Sequence, residues 1–228
     1  MTPDTLQKIG IAVFSATFGW VIAQLTSTIR TLLYRKRIIR LLHEELKDLD
    51  KETTRILYYH ARNLQLFGAK GIQESGMVGL SNPVYTNYYK DALLSLNQNQ
   101  RISLQLIHGL VATQNEVLKK IDETTTAIMK DHRENGASPA IARGGETLGE
   151  LAKAGYSGCA IIKWHIHFHL KHISRPDLSP GTDDHEMYLK YLDSVAKEMN
   201  KTIESGKTIP KEEFEKIYSQ HLFKPRSE

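Results

Sequence analysis

The chain has 228 residues, a formal net charge of +4, 40% hydrophobic residues and a single cysteine. One cysteine excludes an internal disulfide framework and agrees with a reducing compartment. The composition is that of an ordinary globular protein. The small excess of cations does not indicate a nucleic-acid-binding protein, because much of it lies in one short run beside an apolar stretch.

The first predicted element is the stretch Ile9–Ile29, which contains no charged side chain. As an α-helix it would extend about 30 Å, the thickness of a bilayer's hydrocarbon core. The sequence therefore predicts a single transmembrane helix. The alternatives are a cleaved signal peptide and a buried helix of a soluble domain. Cleavage is disfavoured because the N-terminus is weakly basic and a cationic run follows the stretch at once.

The cationic run suggests which way this helix would cross a membrane. No acidic residue interrupts it before Glu44, and its members are Arg30, Arg35, Lys36, Arg37 and Arg40. Cations concentrate on the cytoplasmic side of membrane helices and attract anionic lipid headgroups. We therefore expect an external N-terminus at the plasma or inner membrane and a cytoplasmic C-terminal region, with these five side chains at the membrane surface.

Small residues recur along one face of the predicted transmembrane helix. They are Ala12, Ala16, Gly19 and Ala23. Small side chains let the backbones of membrane helices approach closely, so this face is a candidate for packing between copies of the chain or against a partner helix. Alanine and glycine are also common in membrane helices that do not associate, so the pattern leaves both outcomes open.

The helical pattern continues past the cations without glycine or proline as far as Phe67. Apolar residues recur there at spacings of three and four, which is typical of a helix with one buried seam. The seam residues are Ile39, Leu42, Leu46, Leu49 and Ile56. A glycine-rich loop follows at 68–86, and a similar pattern predicts a second helix over 87–130. We expect the two helices to form a long antiparallel hairpin, a stalk that projects from the membrane.

The C-terminal part predicts about three shorter helices. The segment 162–171 alternates apolar residues with lysine and histidine, which favours a strand, yet no other stretch predicts a strand to pair with it. We therefore favour a helix there, and a strand stays possible only with a partner from elsewhere. Further helices are predicted over 183–204 and 210–222, the second opened by Pro210.

Histidines in this C-terminal part are the only cluster that suggests site chemistry. On a helix, His165, His169 and His172 would share one face with a spacing suited to metal binding, zinc in particular. The alternative is an amphipathic segment whose polar positions happen to be histidine. Cys159 would lie off that face, and a lone cysteine in an apolar stretch is more often a core residue than a nucleophile. No recognised catalytic motif occurs, so no catalytic residue is assigned.

Together these patterns predict an all-α protein in three parts: the transmembrane segment at 1–29, the hairpin at 30–131 and a membrane-proximal helical region at 132–228. The function they favour is a single-pass anchored interaction or scaffold protein. It would self-associate or bind a soluble partner at the cytoplasmic face, and a membrane-acting effector subunit is one variant. The alternative is a metal-binding module, with or without enzymatic activity, built on the histidines. An enzyme is the less favoured class, lipid and protein are the expected partners, and nucleic acid is not indicated.

Overall fold

A computed structural model describes residues 3–72, 76–136 and 138–208, without the side chains of residues 5–10 and 12. Five α-helices account for most of these residues: α1 (Pro3–Gly68), α2 (Pro83–Ala92), α3 (Gln98–Asn135), α4 (Pro139–Lys171) and α5 (Asp183–Thr208). A 3₁₀ turn, Leu93–Ser95, joins α2 to α3. No strand occurs in the described ranges, so the all-α prediction is confirmed and the histidine-rich segment is helical.

Local sequence explains where the helices begin. The Asn97 side chain accepts a hydrogen bond from the Gln100 backbone N–H, and the Gln100 side chain accepts one from the Asn97 backbone. This capping box starts α3 at Gln98, eleven residues later than predicted. Ser138 caps α4 and Pro139 occupies its first turn, so α4 begins four residues after α3 ends at Asn135.

The chain direction in α3 differs from the prediction. Glu45 and His60 of α1 contact His108 and Gln114 of α3, so sequence numbers rise together along the two helices. The predicted antiparallel hairpin is therefore wrong, because α1 and α3 run in the same direction. It is α4 that runs antiparallel to both, with Lys163 beside Asp50 and His169 beside Ser103.

The connection from α1 to α3 explains this reversal. It does not stay at the far end of α1 as a loop but returns along it. Arg55 donates to the carbonyl of Val78, and the Glu45 carboxylate accepts from the backbone N–H groups of Val84 and Tyr85 at 2.6 and 3.0 Å. A carboxylate at the start of α2 satisfies two backbone donors that the helix leaves unpaired. The return brings the chain back to the N-terminal side before α3 begins.

The core lies between α1, α3 and α4. It includes residues of both the predicted hairpin at 30–131 and the predicted helical region at 132–228. Its buried members include Leu42, Leu46, Leu49 and Ile56 of α1, Leu104 and Ile107 of α3, and Ile162 and Ile166 of α4. All the predicted seam residues are buried except Ile39, which is half-buried. Its neighbour Ile38 takes the buried position at this end of the core. Thr53 and His60 continue the same face as buried polar residues.

Glycines in α4 and in α5 allow each of these helices to pack closely on α1. A side chain at Gly155 would overlap the His60 ring, and one at Gly206 would overlap the backbone of Gln65. The last helix α5 continues to Thr208, four residues past the predicted end at residue 204, and Gly206 packs directly on the backbone of α1. The predicted helix 210–222 lies outside the described residues.

Candidate functional site

The N-terminal part of α1 extends beyond the bundle, and we call residues 3–37 the arm. Every described side chain of the arm is exposed except that of Arg35, which is half-buried, and burial begins only at Ile38, which is 2% exposed. Large apolar side chains are exposed along the arm, including Phe14 at 72% and Trp20 at 64%, and small residues such as Ala16, Gly19 and Ala23 form one face. Apolar side chains of this size are unfavourable in water, so a surface of this kind marks a site of contact with lipid or protein.

The predicted packing face is open. Ala16 and Ala23 are exposed, and a side chain added at Gly19 would meet no atom within 4 Å. The side chain of Ala12 lies outside the described residues. The rest of the described chain therefore does not cover this face.

The predicted membrane-surface cations lie where the arm meets the bundle. Arg30, Lys36, Arg37 and Arg40 are exposed. Tyr34, among them, donates a hydrogen bond of 3.1 Å from its hydroxyl to Asp91 of α2. This contact links the base of the arm to the connection between α1 and α3, residues 69–97, which we call the return segment.

None of the helices, over the residues the structure describes, combines the length and the apolarity needed to cross a membrane. The transmembrane helix over Ile9–Ile29 therefore stays a prediction.

The three predicted metal ligands have different neighbours. His165 is buried and packs against Trp164 and Tyr188 of α5. His169 Nδ1 lies 2.9 Å from the Ser103 hydroxyl, and the His172 ring packs on Phe168. Across the described ranges, no group of three or more His, Cys, Asp or Glu side chains is arranged to hold a metal ion. The zinc hypothesis therefore has no support from the geometry.

Two further histidines, His60 and His108, are buried. His60 lies on the same face of α1 as the predicted seam, whereas no sequence pattern indicates His108. His60 Nε2 lies 2.6 Å from the Gln114 amide, and His108 Nδ1 lies 2.9 Å from the Asn82 amide. Burial lowers the pKa of His60 to about 4 and that of His108 to about 3. Burial also lowers the pKa of His165 and of His169 to about 4. All four rings are therefore neutral at pH 7, as the core of the bundle requires.

The remaining candidate groups are the Asp50 carboxylate and the Cys159 thiol, and both belong to contacts between helices or to the core. The Asp50 carboxylate accepts from Lys163 Nζ at 2.7 Å and lies 3.0 Å from His167 Nε2. Cys159 is fully buried, and burial raises the pKa of its thiol to about 12. A thiol with that pKa carries almost no thiolate at neutral pH, which excludes the nucleophilic role.

An open cleft of about 510 Å³ lies between α4 and α5. Trp164, Phe168, Met187 and Tyr191 form its apolar wall, and Lys163, His167, Lys171 and Asp184 form its polar edge. Positive and negative groups are mixed along this edge. The cleft is therefore less distinctive than the arm as a binding surface.

Comparisons with protein-family models, with curated proteins and with solved structures give no significant match. The functional argument for this chain accordingly starts from its own residues, and the exposed large apolar side chains of the arm are its most distinctive surface feature.

Proposed function

We propose that the chain is a single-pass, membrane-anchored interaction protein whose helical bundle lies on the cytoplasmic side. One observation carries the proposal: a helix segment of 21 uncharged residues, Ile9–Ile29, extends away from a folded bundle with its described apolar side chains exposed. Transfer into lipid lowers the free energy of such a segment by roughly 25 cal/mol for each Å² of apolar surface removed from water.

The charges on either side of the segment support one orientation. Five cations follow it within eleven residues, whereas Lys8 is the one cation that precedes it. The cation-rich end of a membrane helix normally stays in the cytoplasm. The bundle begins at Ile38, directly after four of these cations, and would therefore lie on the cytoplasmic side.

Charges placed in the middle of the arm test the anchor. Lysine at the centre of a membrane helix costs roughly 2.5–3.5 kcal/mol per residue, so the double variant Phe18→Lys, Ile22→Lys should abolish co-flotation of the full chain with lipid vesicles. Both side chains are exposed, at 57% and 48%, so the denaturation midpoint of the bundle should not change. Phe18→Leu with Ile22→Leu is the matched control and should float. Normal flotation of the lysine variant would overturn the anchor.

Self-association through the small face is the second part of the proposal. In lipid there is little hydrophobic force between helices, so association depends on close backbone contact. Replacing Ala16, Gly19 and Ala23 together by leucine should keep insertion but give smaller particles in mild detergent. Leucine at Ile11, Val13 and Ile22, which are already large, should leave the particle mass unchanged. An unchanged mass in the first variant would mean that any oligomer is held by the bundle alone.

A further inference from the structure

The end of the bundle nearest the arm is formed by two turns that meet beside α1. Tyr34 of the arm contacts Asp91 in the last turn of α2, two residues before the 3₁₀ turn that leads to α3. The Asn97 amide then donates to the carbonyl of Ser174 at 2.6 Å, and the Gln100 amide donates to that of Ile173 at 2.8 Å. The turn that follows α4 is therefore fixed to the turn that precedes α3, and we call this surface the proximal end.

The proximal end lies close to the level at which the uncharged stretch ends. Tyr34 is five residues after Ile29, which corresponds to roughly 7.5 Å along a helix. The headgroup layer on each side of a bilayer is on the order of 5–8 Å thick. If the arm is inserted as proposed above, Tyr34 and Asp91 lie at headgroup depth.

Apolar side chains are exposed at this end. Leu94, in the 3₁₀ turn, is 81% exposed, more than any other large apolar side chain that the structure describes. Tyr88 and Ile173 are 45% and 44% exposed. A leucine exposed to water does not stabilise the turn that carries it. At the boundary between headgroups and acyl chains the same side chain would be stabilised, because its apolar surface leaves water.

The charges around these side chains favour an anionic surface. The exposed cations of the proximal end are Lys36, Arg37, Arg40, Lys90, Lys171 and Arg175. Two carboxylates lie among these cations: Asp91 accepts from Tyr34, and Asp177 accepts from Ser179 at 2.6 Å and lies 3.8 Å from the Arg175 guanidinium. The six cations therefore outnumber these two carboxylates. Each cation near an anionic membrane contributes about 1 kcal/mol of attraction.

We propose that the turn Leu93–Ser95 enters the headgroup region of an anionic bilayer, with Leu94 at the boundary of the acyl chains and Tyr88 among the headgroups. The proximal end of the bundle then rests on the membrane surface, and the rest of the bundle projects from it along α1. This inference rests on the proposed anchor, and it adds a second point of membrane contact that fixes the orientation of the bundle.

An environment-sensitive fluorophore attached to Leu94→Cys tests the inference. The native Cys159 is fully buried, so labelling of the full chain is restricted to the new cysteine. In vesicles that contain phosphatidylglycerol we expect a blue shift and strong quenching by nitroxide lipids labelled near the headgroup. The shift should be smaller in vesicles of phosphatidylcholine alone, because the cations lose their anionic partners.

Val78→Cys is the matched control. Val78 lies on the same return segment and is 71% exposed, but its carbonyl contacts Arg55, which is about 30 Å farther along α1 than Tyr34. A probe there should report water in every vesicle. As a second variant, Leu94→Asp should return a probe at Ile173→Cys to the spectrum seen in water.

Three outcomes would overturn the inference. One is a water-like spectrum from the probe at position 94 while the chain floats with the vesicles. Another is equal quenching at positions 94 and 78. The third is a blue shift that persists in detergent and grows with protein concentration, which would assign this surface to a protein partner. Failure of the unlabelled chain to float is a different result, since it refutes the anchor itself.

Discussion

Aspartate in place of Leu42 is expected to unfold the bundle. Leu42 is completely buried in the core shared by α1, α3 and α4, as is Leu46 one turn later. Burying an unpaired carboxylate costs several kcal/mol, which is comparable with the whole stability of a domain. Circular dichroism of the full chain in mild detergent should show an early or absent thermal transition.

The matched change for this experiment is Asp48→Ala, six residues along the same helix. Asp48 is exposed, and removing its carboxylate should shift the unfolding free energy by less than about 0.5 kcal/mol. Leu49→Asp, at a site that is 1% exposed, should behave like Leu42→Asp. Native melting of both leucine variants would mean that this face of α1 is not in the core.

Acidification is expected to have the second large effect. His60, His108, His165 and His169 are buried and neutral, with pKa values of about 4, 3, 4 and 4 against an ordinary value of 6.5. The unfolded chain therefore binds protons that the folded chain does not. Their contribution to stability is complete above pH 6.5 and is lost as the pH falls from there towards 4.

The expected slope follows from linkage. Each such histidine contributes about 1.4 kcal/mol per pH unit within this window, so four contribute on the order of 5 kcal/mol per pH unit. The groups that face these rings change the slope only in part. Glu45 lies 3.9 Å from His108 and burial raises its pKa, which works in the opposite direction, while the half-buried His43 beside His169 also has a pKa lowered by burial.

Denaturant titrations between pH 7 and pH 5 would measure this dependence. His60→Gln should reduce the slope by about a quarter, whatever it does to the absolute stability. His132→Gln, a change at an exposed histidine, should leave the slope as it is. A free energy of unfolding that stays constant over this range would show that the buried rings are not neutral in the folded chain.

The helices and the core face of α1 are the parts that the sequence could predict. A run from Trp20 to Phe67 without glycine or proline favours one long helix, and spacings of three and four indicate the face that α1 buries. The direction of α3 could not be predicted in this way. Glycines at 68–79 reveal that the helix ends, but the contacts that return the chain come from Glu45 and Arg55, which read as solvated charges in the sequence.

The histidines show a second limit of sequence patterns. A spacing of four residues placed His165 and His169 on one face, and both are buried as that spacing allows. Their rings contact Tyr188 on α5 and Ser103 on α3. The spacing of residues within α4 cannot predict which other helices pack against it. His60 lies on the face that the spacing of α1 indicates, so its burial could be predicted. His108 gave no such signal, and its contacts with Tyr85 and Asn82 come from the connection that returns along α1.

The continuity of α1 has a mechanical consequence. Its 66 residues include both the arm and one side of the core, and no flexible joint separates the two between Trp20 and Phe67. A helix of this kind transmits rotation as well as position, because each residue fixes an angle of about 100° about the axis. If the arm is inserted in a membrane as proposed, the angle at which it is rotated about its axis therefore sets the rotation of its bundle. In an assembly of arms, contacts between membrane helices would decide which faces of neighbouring bundles meet.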